Sequence, residues 1–455
     1  METHSRPHST NNATSETRAA RHKRTTIHLV LILAGSIATL AFLRVFAGGR
    51  PPMLNVEWWN ALAAAMAKHG FFNVWTPYPP VFPALFYGLS GVVPQSAILP
   101  IWKTANACLL LGQALLVFAI VRRCSFQNKQ RALHAALLAS FAFLVVMFQP
   151  NSRLLLGPWM DQFDYLPTLL MLLGLFLLIN KSGTASALVC GIGIMTKVFP
   201  VILVPAAFAA LGWKRGLQYA AVAAVVCVII AAPFFIANGE MFLSTYRWSA
   251  DRIPWESVWA YAFPGRGIRE PLANLPQAAN PELIEQQFAV AYHPPDPGVE
   301  GDHAPGRSVW VNYLTAGLTA IGVVLTAAFV ARGKKITPHR LCRGALVMVL
   351  LLLIFSKGFS SYFIVWAAPL VCIAYPGAGG FALCALMLLL GNTELMGITA
   401  RSAEVFGNRD ALEQFTRLGS PYVLFWRSIV YREALLVVIA GHQIIRLWRS
   451  REVTE

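Results

Sequence analysis

Long apolar runs follow one another from residue 27 almost to residue 447, and a single long polar stretch interrupts them. A run of about 20 such residues crosses the hydrocarbon core of a bilayer as a helix. Inside hydrocarbon every backbone N–H and C=O must find a partner within the protein, which leaves helices and closed barrels as the spanning structures. The runs here are continuous and not alternating, so helices are expected. Charged residues make up 13% of the chain against 56% hydrophobic, where a soluble domain has about a quarter charged. The predicted fold is an all-α, polytopic helical membrane protein with about twelve transmembrane helices. The spans are expected near 27–47, 98–121, 132–148, 164–179, 185–196, 198–211, 217–236, 309–331, 341–355, 361–375, 378–395 and 426–447.

The net charge of +16 does not form one basic face. It is divided into short clusters between apolar runs, the pattern of topology signals and not of a nucleic-acid surface. Arg18, Arg21, Lys23 and Arg24 precede the first run, which sets the N-terminus in the cytoplasm. A cleaved signal peptide fits this segment less well, because the run exceeds a typical h-region and Arg44, Gly48 and Gly49 make no small-x-small site. The remaining clusters, Arg122 to Arg131, Lys214/Arg215, Arg332 to Arg343 and Arg446 to Arg451, then fall on the same side. The expected organisation is a cytoplasmic tail at 1–26, a membrane domain at 27–447 with outer loops near 48–97, 149–163, 237–308 and 396–425, and a cytoplasmic tail at 448–455. A cell-membrane location with both termini inside follows. Outside the tails, the acidic residues are expected on the outer side or at outer span ends. Seven cysteines stand singly without metal-ligand spacing, as packing residues do.

The first outer loop carries Trp58, Leu62, Ala65 and Met66 on one helical face of 56–69, which predicts an interfacial helix. A second short helix is expected at 81–93, too short to span comfortably. In the long loop, 281–291 is expected to hold a short helix, followed by a Pro- and Gly-rich stretch.

No Walker loop, dinucleotide glycine turn, His-Glu-x-x-His or Asp-x-Asp is present, so no cofactor or metal is expected. Ionisable groups at membrane depth are costly and mark candidate sites. Glu57, ahead of Trp58 and Trp59, is either a general base or a solvated carboxylate favoured by a helix N-terminus. Tyr78 opens a rigid Tyr-Pro-Pro element. Asp161 and Asp164 stand where a span begins, as binding groups or as helix caps. Lys197 interrupts two apolar halves, at the outer tip of a helical hairpin or snorkelling to the interface. Arg247, Arg252 and Glu256 alternate with Trp255 and Trp259, a mixture suited to phosphate and sugar and equally to an aromatic belt. Lys357 and Tyr362 open another span from the same side.

Taken in order, these segments resemble bacterial GT-C glycosyltransferases, in particular the family 87 branch that includes polyprenol-phosphate-mannose-dependent mannosyltransferases. The likeness rests on Glu57, Gly70 and Tyr78-Pro79-Pro80, on Gln162-Phe163-Asp164, on Lys197 to Pro200, on Glu256-Ser257-Val258-Trp259, and on Ser360 to Pro369. Two positions depart from the pattern: Glu57 stands where Asp is usual, and Ser361 where Gln precedes the Tyr. The resemblance implies a GT-C-like fold and an enzyme moving a hexose or pentose, mannose or similar, from a polyprenyl-phosphate sugar donor to a glycan or glycolipid acceptor. Glu57 is then the catalytic base, and Lys197, Arg247, Arg252 or Lys357 the cation beside the departing phosphate. Competing readings are a multi-span transporter or lipid flippase, and a lipid-linked glycan polymerase or ligase.

Overall fold

The computed structural model describes residue 27 and residues 54–74, 76, 78–124, 129–147, 163–251, 257–259, 309–332, 336–358, 363–405 and 421–449. The expected span at 27–47 beyond its first residue, and the short helix at 281–291, lie outside the described residues.

The described chain is helical. In order come α1 (Leu54–His69), α2 (Val81–Val92), α3 (Gln95–Cys124), α4 (Lys129–Met147), α5 (Tyr165–Ile179), α6 (Gly183–Thr196), α7 (Leu203–Leu211) and α8 (Trp213–Asp251), then α9 (Val309–Ala331), α10 (Pro338–Phe355), α11 (Ile364–Ala374), α12 (Ala378–Val405) and α13 (Pro421–Arg449). Six described helices are long and apolar enough to cross a membrane, and six more apolar helices are shorter. This is a multi-pass membrane protein.

Two helices outrun their expected ends. α8 continues through Asp251, so the polar segment expected from 237 begins as helix. Its direction changes at Asn238, whose backbone is extended (φ −158°, ψ 83°). The Asn238 side-chain oxygen accepts from Met241 N at 3.1 Å, so the residue caps the second half of the helix it interrupts. α12 likewise runs to Val405, into the segment expected to start at 396.

α10 and α11 are the centre of the bundle: every residue of α11 is buried, and Leu346, Val347, Met348 and Leu350 of α10 are closed off completely. α8 is peripheral, with Val225, Val228, Ile229 and Ile236 each more than half exposed, the surface a lipid tail would cover. α6 approaches α8 closely, since a Cβ on Gly191 would stand 2.7 Å from Ala223 O. Small residues permit such approach where helices pack without a hydrophobic drive between them.

Polar groups tie the helix ends together at two poles. At one, the buried Arg340 donates to Val330 O at 3.0 Å, to Leu447 O at 3.1 Å, and to Phe329 O. One guanidinium thereby serves terminal carbonyls of α9 and α13, where helix dipoles favour a cation. Cys124 Sγ and Cys342 Sγ, 3.9 Å apart, bring the end of α3 to the same pole, and all seven cysteines are free. The opposite pole carries Asp164, Lys197 and Trp366.

One acidic residue departs from the expected arrangement. Glu433 is not at a span end but more than three turns inside α13, buried and 3.1 Å from the buried Arg432. Neighbouring opposite charges offset each other's desolvation.

Candidate functional site

Asp164 occupies the N-cap position of α5, yet its side chain makes no cap hydrogen bond. Instead its Oδ1 accepts from Lys197 Nζ and from Trp366 Nε1, each at 2.6 Å. The backbone alone serves the helix start, with Asp164 O accepting from Thr168 N at 3.2 Å and Thr168 Oγ1 at 2.6 Å. Of the two readings the sequence left open for Asp164, capping is the one its side chain does not perform.

Lys197 stands at the break between α6 and the 3-10 turn Phe199–Ile202 that leads into α7. Its extended backbone (φ −162°, ψ 139°) ends α6, and its N–H closes the last turn onto Gly193 O. The side chain is only 13% exposed, so it does not reach out to solvent as a snorkelling lysine would. Aromatic faces surround the ammonium: the ring centroids of Phe363, Trp366 and Tyr78 lie 4.1, 5.0 and 5.9 Å from Nζ. Electron-rich faces at this range attract a cation. Trp366 is itself held between two rings, with Phe199 at 4.1 Å and 8° and Phe363 at 4.3 Å and 16°. The indole N–H is thereby fixed on the carboxylate.

Tyr78 reaches this site because the chain turns sharply after α1. Gly70 has φ +93°, and an added Cβ there would stand 3.2 Å from Asn73 Nδ2. That amide donates to His69 O at 3.1 Å, occupying a carbonyl at the end of α1. Thr76 Oγ1 then donates to Tyr78 O at 2.9 Å, and Thr245 Oγ1 of α8 donates to Thr76 O at 2.6 Å. Behind Tyr78, Phe82, Phe86, Trp102 and Phe163 pack edge to face and tilted, with Leu62 and Met66 of α1 in the same cluster. Leu62 and Met66 are the buried face expected from the helical spacing.

A cleft with about 420 Å³ of empty volume, partly open to solvent, runs from Tyr78 between the α1–α2 connection and α8. Phe71, Phe72, Phe234 and Phe242 give it apolar walls, and Asn238, at the bend of α8, also lines it.

The Glu256 to Trp259 element has a structural role in its described part. Ser257 Oγ donates to Lys357 O at 2.8 Å and Trp259 Nε1 to Ile354 O at 3.3 Å. These bonds serve carbonyls at and just beyond the C-terminus of α10. Lys357, half-buried, therefore stands at the same pole as Asp164. Glu57 lies in the first turn of α1 and Arg247 near the end of α8, with their side chains outside the described residues. Asp161, Arg252, Glu256 and Tyr362 lie wholly outside them. Three residues absent from the sequence-based site take part in it: Trp366, Phe199 and Phe363. Trp366 is the tryptophan of the Ser360 to Pro369 element that carries the family likeness, whereas the two phenylalanines carried no signal beyond hydrophobicity.

A bundle of apolar helices that gathers a carboxylate, an ammonium and stacked aromatics at one pole is a membrane-embedded protein with a candidate polar site at its helix ends. The chain belongs to glycosyltransferase family 87, whose family model matches residues 75–357. The match contains Tyr78, Asp164 and Lys197 and stops before Trp366. It is a membrane glycosyltransferase, and so has a sugar donor and an acceptor. No curated protein and no solved structure matches it.

Proposed function

We propose that this enzyme transfers a sugar, mannose or similar, from a polyprenyl-phosphate donor to a glycan or glycolipid acceptor at the outer face of the cell membrane, with inversion at the anomeric carbon. The observation that carries the reading is Lys197, a shielded cation beside a carboxylate and flat aromatic faces at a bundle pole. A donor with a lipid tail reaches such a pole through the bilayer. The apolar cleft beside Tyr78 suits an isoprenoid segment, and aromatic faces suit a sugar ring.

Glu57 takes the proton of the acceptor hydroxyl as that oxygen attacks the anomeric carbon. The new bond is between the acceptor oxygen and the anomeric carbon, the broken bond is between that carbon and the phosphate oxygen, and polyprenyl phosphate leaves with the electron pair. Lys197 stabilises the charge that grows on the phosphate, in a site where low dielectric strengthens the interaction. Asp164 and Trp366 hold the lysine in position. Arg247, Arg252 and Lys357 are the further cations for the donor phosphate, with Asp161, Glu256 and Tyr362 as binding groups for donor or acceptor.

The test is purified protein in lipid, given radiolabelled polyprenyl-phosphate sugars and membrane acceptors, as wild type and as Glu57→Gln. Transfer by the wild type and its loss in the folded variant is expected. Full activity in Glu57→Gln removes Glu57 as the base, and solute or lipid crossing proteoliposomes without transfer overturns the enzyme reading.

A further inference from the structure

At the pole opposite Asp164, four side chains from three helix ends converge without a carboxylate among the described residues. Arg343 lies in the second turn of α10, Tyr375 caps the end of α11, and His442 and Arg446 lie one turn apart on α13. Tyr375 and His442 stack at 5.5 Å and 18° and share a hydrogen bond between the phenol oxygen and Nδ1. The Arg446 guanidinium sits 5.9 Å from the Tyr375 ring centroid. Arg343 feels both the charge of Arg446 and the Tyr375 oxygen, and its Nε is buried without a hydrogen-bond acceptor. Two guanidiniums from different helices are thus held within electrostatic range of each other. Like charges so placed repel, and a buried guanidinium N–H without an acceptor costs free energy.

Arg340, only three residues before Arg343, shows how this pole treats an arginine whose needs are met, since its bonds go to three backbone carbonyls. Arg343 and Arg446 have no such arrangement. On the same helix, Tyr431, Val438 and Ile445 repeat every seven residues and are 58%, 66% and 46% exposed, with Trp448 at 60% beyond them. This apolar lane leads along α13 to Arg446.

We propose that Arg343 and Arg446, walled by Tyr375 and His442, bind the phosphate of an anionic phospholipid whose acyl chains lie along the Val438–Ile445 lane of α13. A phosphodiester offers the planar guanidinium the acceptors it lacks, in charge-assisted hydrogen bonds. Basic pockets between spans on the cytoplasmic side recognise anionic head groups in this way. The lane commits the ligand to a lipid, because a free phosphate has no use for it. That the lipid belongs to the cytoplasmic leaflet rests on the orientation proposed above, while the binding itself does not depend on it or on the transfer reaction.

The experiment is native mass spectrometry of the full chain, purified in mild detergent with equal amounts of phosphatidylglycerol and phosphatidylcholine. Four proteins are compared: wild type, Arg343→Gln/Arg446→Gln, Arg343→Lys/Arg446→Lys, and the control Lys214→Gln/Arg215→Gln, which removes two exposed cations at the start of α8. Retained phosphatidylglycerol is expected to fall about tenfold in the first double variant and to stay at the wild-type level in the control. An Arg343→Lys/Arg446→Lys variant retains the charge and keeps an intermediate level. Equal loss in control and test variants, or no loss in either, overturns the site. Displacement of the lipid by excess inorganic phosphate overturns the assignment to a lipid. Sugar transfer is assayed separately in the same preparations, so failure of the donor reading leaves the lipid result standing.

Discussion

Lys197 Nζ lies 2.6 Å from Asp164 Oδ1, although 33 residues separate them in the chain. The pair joins the end of α6 to the start of α5, with the carboxylate 2% and the ammonium 13% exposed. Neither charge has water enough to stand alone. Asp164→Asn is therefore expected to lower stability by about 3–5 kcal/mol, the cost of stranding one partner of a buried pair. The double variant Asp164→Asn/Lys197→Met regains most of that stability and remains without transfer activity. Thermal unfolding in detergent beside a transfer assay reads both, and an Asp164→Asn protein as stable as wild type would refute the burial of the pair.

Trp366→Phe keeps a ring between Phe199 and Phe363 and removes the N–H bonded to Asp164 Oδ1. The expected result is a fall of roughly tenfold in kcat, from one lost hydrogen bond to a charged group. KM for the donor is expected to change little, because the indole N–H is bonded to the carboxylate that holds the lysine. A change confined to KM counts against that role.

The turn at Gly70 is testable by Gly70→Ala. Its positive φ is a region side chains rarely enter, and the new Cβ meets Asn73. A loss of about 1–3 kcal/mol is expected, and with it lower activity, since Tyr78 follows from this turn. Undiminished stability would show that the backbone relaxes without strain.

Met241→Trp adds bulk to the cleft between α8 and the Tyr78 segment. We expect a higher KM for a long-chain polyprenyl-phosphate sugar and a smaller change for a short-chain analogue. Equal effects on both donors remove the cleft from lipid binding.

The helices were legible because apolar runs of the needed length state where a bilayer can be crossed. α9 matches the expected 309–331 residue for residue. The ends of α8 and α12 were not, since the sequence grows polar there while the helix continues, and hydropathy registers solvent preference and not backbone hydrogen bonding. At the site, Lys197 and Asp164 stood out as charges in apolar surroundings. Their pairing was hidden, because nothing local in the sequence states which helix ends meet. Phe199 and Phe363 were hidden for a different reason: a phenylalanine beside an ammonium reads the same as one in a core. Arg343 and Arg446 belong to two separate topology clusters in the sequence, and only the packing of α10 against α13 brings the two together.

The carboxylate that holds Lys197 also holds Trp366, 202 residues further along. A ribosome must therefore deliver α11 before this site exists at all. Until then the hairpin of α6 and α7 sits in the bilayer with an ammonium lacking Trp366 and Phe363, and partial chains hold the Asp164–Lys197 pair without its aromatic floor.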